Sequence, residues 1–388
     1  MPKGAKPLLL SIIVPTYNER ENIEPLVSKI EQALQDFPES FEICFMDDST
    51  DDTPEVLQAV ADMHPCVRYV HRQQRGGLAT AVAEGFSHSQ SDYLIVMDAD
   101  LQHPPEVIPS ILSHLLNGVD IVIPSRFVPG GSDGGLSVTR KLVSWTARKL
   151  GQVLISRLRK VSDCTSGFFG FHRKVLEGVT LKPIGWKILI EILVRGHYET
   201  IHEIPYSFVD RDAGYSKMNL REQRNYVRHL FRLILDTESE RRFYVFCLVG
   251  ALGVVVNLVV MSLLTYSLAL PVAAASVCAS VTAMIHNFLW NDNVTWRGFH
   301  KSVKWQRMLQ MPTFMAISTI GILITAVFAQ GFHRVHWNEL LGQLLGIIVA
   351  TVWNFKANSA WTWNGQAGGS KHVRKQVRVT REKSRSTP

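Results

Sequence analysis

The chain has 388 residues, long enough for two domains, and a formal net charge of +7. Its basic residues gather where a membrane surface or an anionic substrate would sit. They form no single stripe and accompany no recognition motif, so nucleic-acid binding is set aside. The fourteen histidines form no H-x-x-x-H pattern, and the five cysteines are odd in number and scattered, which fits free thiols in a reducing compartment. No cleavable signal peptide precedes Leu8, so the N-terminal half is expected in the cytosol.

In chain order, Leu8–Val14 is an apolar run ended by Pro15 and predicts a buried parallel strand. A helix is expected from Glu21 to about Phe37, with Ile23, Leu26, Val27, Ile30 and Leu34 on one face. A strand at Glu42–Met46, a helix over 54–63, a strand at Val67–His71, a helix near 77–88 and a strand at Tyr93–Met97 follow. This alternation predicts an α/β domain with a mostly parallel, Rossmann-like sheet covered by helices on both faces. Ligands of such sheets bind beyond the carboxyl ends of the strands. Pro15–Glu19, Asp47-Asp48 and Asp98-Ala-Asp100 each follow a strand, and together they predict one site. Two carboxylates as near as Asp98 and Asp100 repel each other unless a cation intervenes. Hard oxygen ligands of this kind, with Gln102 adding a neutral oxygen, suit Mg²⁺ or Mn²⁺ on a diphosphate.

Four apolar runs, roughly 243–268, 271–290, 309–330 and 339–356, approach the length of about 20 residues that a bilayer core requires. They contain a repeat. Asn287-Phe-Leu-Trp-Asn291 with Thr295-Trp296 recurs as Asn354-Phe-Lys-Ala-Asn358 with Thr362-Trp363, and Leu252-Gly253 aligns with Ile320-Gly321. Two similar helical hairpins follow, and Asn287, Asn291, Asn354 and Asn358 are candidates to join helix ends by hydrogen bonds. Arg297, Lys301, Lys304 and Arg307 lie in the middle connection, and Lys371, Arg374, Lys375, Arg378, Arg381, Lys383 and Arg385 in the tail. By the positive-inside rule these segments and the N-terminal half face the cytoplasm. Residues 142–158 and 222–235 are amphipathic. Either would suit a helix in the membrane interface or one packed on the sheet, and the second, leading into the first span, favours the interface. The expected organisation is a catalytic domain at 1–220, an interface helix and linker at 221–242, a four-helix membrane domain at 243–363 and a basic disordered tail at 364–388.

The motifs Ile-Val-Pro15-Thr-Tyr17-Asn-Glu19, Asp47-Asp48-Ser, Arg75-Gly-Gly-Leu78-Ala-Thr-Ala81, Asp98-Ala-Asp100-Leu-Gln102-His-Pro-Pro-Glu106 and Ser125-Arg126-Phe-Val-Pro-Gly130-Gly131 occur in order. Asp163-Cys-Thr-Ser166-Gly167, Gly185-Trp-Lys187 and Arg211-Asp-Ala-Gly214-Tyr-Ser216-Lys217 follow. In these the chain resembles the GT-A nucleotide-sugar glycosyltransferases of family 2, in their polyprenyl-phosphate (dolichyl-phosphate) mannosyltransferase branch. Residues 243–363 resemble the four-helix membrane domain of the GtrA type. The resemblance implies that Pro15, Tyr17, Glu19, Asp47, Asp48 and Leu78 line the donor nucleotide pocket. It implies that Asp98 contacts the donor and that Asp98, Asp100 and Gln102 hold the metal. Arg126, Arg140, Ser144, Arg211 and Lys217 are implied to receive the lipid phosphate, with Arg126 and Asp163 joining Asp98 and Asp100 in catalysis. The family's common Gly-Leu-Gly is Gly-Gly-Leu78 here.

The implied reaction moves mannose from GDP-mannose to a polyprenyl phosphate, with UDP-glucose as the alternative donor. A phosphate monoester is already ionised near neutral pH, so no strong general base is required. A single displacement then inverts the sugar carbon. A processive synthase would carry a Gln-x-x-Arg-Trp segment, which is absent from the sequence. A lipid-linked-sugar flippase with a regulatory soluble half leaves the strand-end acidic clusters unexplained.

Overall fold

The computed structural model describes residues 8–37, 39–73, 76–134, 138–208, 220–297, 309–363 and 377–382. They fall into two compact units, 8–237 with 377–382, and 238–363. In the first unit, β1 (Leu8–Thr16), β2 (Ser40–Asp47), β3 (Val67–His71) and β4 (Tyr93–Val96) are parallel neighbours in the order β3-β2-β1-β4. The sheet continues through β6 (Phe169–His172), β5 (Ile121–Ser125) and β7 (Thr200–Pro205), and β6 runs antiparallel to both β4 and β5. Every residue from Leu10 to Val14 is fully buried, because helices cover both faces. One face packs Leu10, Ile12, Val14, Ile43, Phe45 and Ile95 against Ile23, Leu26, Val27 and Ile30 of α1 (Arg20–Ala33). Helix α1 ends at Ala33, four residues short of the expected Phe37, and closes in turns, Leu34 N donating to Ile30 O at 3.0 Å and Phe37 N to Leu34 O at 2.9 Å.

The helices α2 (Thr53–Met63), α3 (Leu78–His88) and α4 (Ile108–Leu116) complete the crossovers. Three further helices, α5 (Val138–Leu154), α6 (Ile188–Arg195) and α7 (Leu220–Asp236), follow. Helix α7 buries Leu230, Leu233 and Ile234, whereas Phe231 and Leu235 are exposed; on α5, Leu142 and Trp145 are exposed. An ionic cluster fastens α7 to α6. The buried Glu191 carboxylate accepts from His229 Nε2, from Arg195 Nε at 2.6 Å and from the Lys182 amide at 2.8 Å. Arg195 Nη2 then reaches Asp236 at 2.6 Å. Burial pushes the Glu191 carboxyl up, but the His229 and Lys182 bonds and the nearby cations outweigh it and hold the group below 4.5. The resulting stability is present above about pH 4.5 and is lost as pH falls through the lower folded value. Glu191→Gln is therefore expected to cost about 1.5–3 kcal/mol at neutral pH. Melting temperatures across pH check this: the gap to the unaltered protein should narrow below pH 4.5.

In the second unit, α8 (Glu238–Ser262) pairs with α9 (Val272–Trp290), and α10 (Gln310–Arg334) with α11 (Glu339–Ala357). All four are long and apolar enough to cross a membrane. The repeat is visible in three dimensions. Each second helix ends in a π-helical turn, Asn291–Thr295 or Asn358–Thr362. In each turn the asparagine Oδ1 accepts from the threonine hydroxyl, at 2.7 Å and 2.6 Å. Trp296 and Trp363 stack at 4.2 Å with planes 6° apart, among Phe246, Phe288, Phe314 and Phe355. The Trp363 indole donates to Asp292 Oδ1 at 3.0 Å.

Gly253 faces Asn287, and Gly321 faces Asn354: a Cβ on either would lie 2.2 Å or 2.7 Å from the amide. Gly253→Ala should destabilise the first hairpin by about 1–3 kcal/mol through overpacking. Adding Asn287→Ala should restore much of that loss, as read by thermal unfolding of the detergent-solubilised protein.

The tail departs from the expected disorder at one place. Arg378–Arg381 form β8, parallel to β7 at the sheet edge. Strand pairing satisfies backbone groups whatever the side chains, so a short basic segment can be recruited where the sheet supplies an edge. Tail residues 364–376 and 383–388 lie outside the described residues, as do Lys301, Lys304 and Arg307.

Candidate active site

A cavity of about 440 Å³ opens at the carboxyl ends of β1, β2 and β4. Pro15, Thr16, Tyr17, Glu19, Asp48, Gly77, Leu78, Ala81, Asp98, Ala99, Asp100, Gln102 and Trp186 line it. The predicted donor-side residues thus share one cavity, except Asp47. Asp47 is fully buried, accepting from Ser49 Oγ and paired with His71 Nδ1 at 2.6 Å. Adjacent residues at a strand end point to opposite faces, so Asp48 reaches the cavity and Asp47 braces the sheet. Asp48 is fixed by Arg72, whose Nη1 lies 2.9 Å from both carboxylate oxygens. Arg72 also donates to Glu84 and Thr80 of α3.

The segment that carries the carboxylates is bent. Leu101 takes φ 59°, a left-handed conformation that costs a branched residue roughly 1–2 kcal/mol. The bend turns the chain back at Gln102, so that its backbone N–H donates to Asp100 Oδ1 at 3.2 Å. Asn18, between Tyr17 and Glu19, is left-handed as well. Asparagine adopts this conformation at little cost, so the backbone strain lies at Leu101, beside the carboxylates. His103 anchors the bend from below: its Nδ1 accepts the Asp98 amide at 3.1 Å and its ring stacks on Phe168 at 5.1 Å. A Cβ at Gly167 would lie 2.9 Å from Asp98 Oδ2, so the residue after Ser166 must be small for Asp98 to keep its position.

Asp98, Asp100 and Gln102 present only oxygen ligands on one loop, a donor set that fits a hard divalent cation. Among the described residues no cluster of three His, Cys, Asp or Glu could hold a metal ion, so this donor set consists of two carboxylates and one amide oxygen.

A second group of charges surrounds Asp163, which is fully buried. Arg126 Nε and Nη2 both donate to Asp163 Oδ2 at 3.1 Å. Arg148 on α5 lies over the Phe127 ring at 3.7 Å and donates to the Ser162 carbonyl at 3.0 Å. Lys187 Nζ donates to the Thr165 carbonyl at 2.9 Å. Burial lowers the Lys187 pKa, while Asp163 and Asp98 oppose the shift and Arg126 adds to it. Ser144 lies half-buried on α5, which also carries Arg140; Arg211 and Lys217 lie outside the described residues.

A second cavity, of about 310 Å³, is mostly apolar, with Thr146, Glu222 and Gln223 also on its lining. Leu142, Val143, Ala147 and Leu150 of α5, Tyr226 and Val227 of α7, and Ile184, Trp186 and Lys187 contribute to its walls. Trp186 borders both cavities.

His103, Arg72, Arg148 and Lys187 are absent from the sequence-based site. A signal existed for three of them. His103 sits inside the matched motif Asp98–Glu106. Arg148 continues the Arg140, Ser144 spacing of four along one helix face, and Lys187 sits inside a matched motif.

A mostly parallel sheet with carboxylates at its strand ends, followed by four helices long and apolar enough to cross a membrane, fits a glycosyltransferase with a membrane domain. The family pattern described as glycosyl transferase family 2 matches residues 11–180, and that of the GtrA/DPMS transmembrane domain matches 245–363. The dolichol-phosphate mannosyltransferase of Pyrococcus furiosus is 37% identical over 355 residues, covering 91% of this chain and 99% of its own length. That of Saccharomyces cerevisiae is 34% identical over 58% of this chain and 86% of its own. That of Mycosarcoma maydis is 34% identical over 58% of this chain and 78% of its own. This chain belongs to the dolichol-phosphate mannosyltransferase family, and it is a membrane-bound glycosyltransferase.

Proposed function

We propose that the enzyme transfers mannose from GDP-mannose to a polyprenyl phosphate at the cytoplasmic membrane face, with a divalent cation and with inversion at the sugar carbon. The observation that carries the acceptor assignment is the pair of cavities meeting at Trp186, one edged with carboxylates and the other mostly apolar between amphipathic helices. A nucleotide sugar suits the first and a lipid chain the second. The exposed Leu142, Trp145, Phe231 and Leu235 suit helices lying in an interface.

Asp98, Asp100 and Gln102 would hold Mg²⁺ or Mn²⁺, which stabilises negative charge on a departing nucleoside diphosphate. Asp48, oriented by Arg72, and Tyr17 hold the nucleoside portion. Arg126, held flat against Asp163, receives the acceptor phosphate, with Arg148 and Lys187 adding positive charge behind it. The phosphate oxygen attacks the sugar carbon without a base to deprotonate it, and the nucleoside diphosphate leaves from the opposite side. The work of the protein is to bring two anions together in line and to exclude water.

Purified protein given GDP-mannose or UDP-glucose with a short polyprenyl phosphate tests the donor. Transfer from GDP-mannose with inverted stereochemistry is expected. Transfer from UDP-glucose alone, or a trapped glycosyl-enzyme, overturns the reading.

A further inference from the structure

Strand β8 comes from chain beyond the last membrane helix, yet it forms the edge of the catalytic unit's sheet. Its backbone is tied at both ends, Arg378 N to Glu199 O at 2.8 Å and Glu382 N to Glu203 O at 3.2 Å. Thr380 Oγ1 meets His202 Nδ1 at 2.6 Å. The contact of most consequence is Arg381 Nε on Glu203 Oε2 at 3.1 Å. Glu203 is fully buried. Its other oxygen, Oε1, accepts from the Ser162 amide at 2.7 Å, from the Ser162 hydroxyl, and from the Asp163 amide at 3.4 Å. Asp163 in turn holds Arg126. Lys160, two residues before Ser162, touches the same strand twice: its Nζ donates to Val377 O at 3.3 Å and its carbonyl accepts from Arg381 Nη2 at 3.5 Å.

The bonds of β8 therefore converge on residues 160–163, the segment that ends in Asp163. A buried carboxylate needs a partner of opposite charge, and Arg381 supplies one from the solvent side. Without it, the donors to Glu203 that remain among the described residues come from the Ser162–Asp163 turn, and that turn must absorb the change. A strand that merely covered the sheet edge would need the backbone bonds alone.

We propose that β8 is a positioning strand: Arg381, acting through Glu203 and the Ser162–Asp163 turn, sets the Asp163–Arg126 pair that receives the acceptor. The role assigned to Arg126 rests on the function proposed above.

The test compares the full chain with Arg381→Ala, Arg381→Lys and a deletion of residues 374–388. Arg381→Ala and the deletion should raise the KM for polyprenyl phosphate about tenfold, the usual size of a lost supporting contact, with the donor KM unchanged. Arg381→Lys should keep most of the function. A synthetic peptide of residues 374–388 added to the deletion protein should restore the acceptor KM, and the same peptide with Arg381→Ala should not. An unchanged acceptor KM in the deletion protein overturns the proposal. So does a loss confined to kcat that follows the melting temperature and ignores the peptide, since that marks a merely structural strand. If the full chain moves no sugar to polyprenyl phosphate, the functional reading fails instead. The strand is then judged by binding of labelled peptide to the deletion protein, weakened about tenfold by Glu203→Gln. No binding, or binding indifferent to Glu203, overturns it.

Discussion

Asp100→Ala should lower kcat by about three orders of magnitude while leaving the fold intact. Loss of one preorganised electrostatic contact to a leaving group costs about 10²–10³ in rate, and Asp100 also belongs to the proposed metal set, which puts the loss at the upper end. Stability in the absence of the ion should change little: removing one carboxylate relieves its repulsion with Asp98, two residues away, but forfeits the bond from the Gln102 backbone amide to Asp100 Oδ1. Mn²⁺ should raise the melting temperature of the unaltered protein and leave that of Asp100→Ala where it was, because a ligand stabilises only the state that binds it. Two measurements decide the matter: initial transfer rates, and melting curves with and without Mn²⁺. A variant that keeps a tenth of the rate, or still gains stability from the ion, would remove Asp100 from the metal set.

Arg126→Ala should damage both the fold and the reaction, and the two effects can be separated. Its guanidinium is mostly buried against a fully buried Asp163, so truncation leaves a carboxylate without its cation. Breaking such a pair from one side costs about 3–5 kcal/mol, far more than a surface pair. Adding Asp163→Asn removes the stranded charge, and the double variant should regain most of the lost stability. Transfer should stay lost in the double variant, because the positive charge that meets the acceptor phosphate is still missing. Denaturation of the single and double variants, paired with transfer assays, reads each effect separately. Recovery of transfer in the double variant would show that Arg126 serves the fold alone.

The first half of the sheet is legible because parallel strands covered on both faces read as short apolar runs, and Leu8–Val14 and Tyr93–Met97 do so. The membrane repeat is legible for a different reason: the same asparagine, threonine and tryptophan positions recur. Beyond residue 97 the sheet fades from view. Phe169–His172 pairs antiparallel with both neighbours, and nothing in four residues specifies a direction. Arg378–Arg381 carries no apolar alternation; its pairing is decided by the exposed edge of β7. In the site, the motif residues at strand ends were readable, but the contacts that support them were not. Arg72, His103 and Glu203 act through contacts 24, 5 and 41 residues away. Asp47 and Asp48 look equivalent in a sequence and differ only because a strand turns successive side chains to opposite sides.

The stacked Trp296 and Trp363 bear on how the protein is made. Each hairpin supplies part of one shared aromatic core, and Asp292 receives its indole partner from a residue 71 positions later. At a synthesis rate of roughly 5–20 residues per second, the first hairpin waits about 4–14 s before Trp363 has even been polymerised. During that interval its π-helical turn faces its surroundings without the second tryptophan. Nascent chains halted before Trp363 should thus be recognised by membrane quality control far more readily than chains halted just after the second hairpin has emerged.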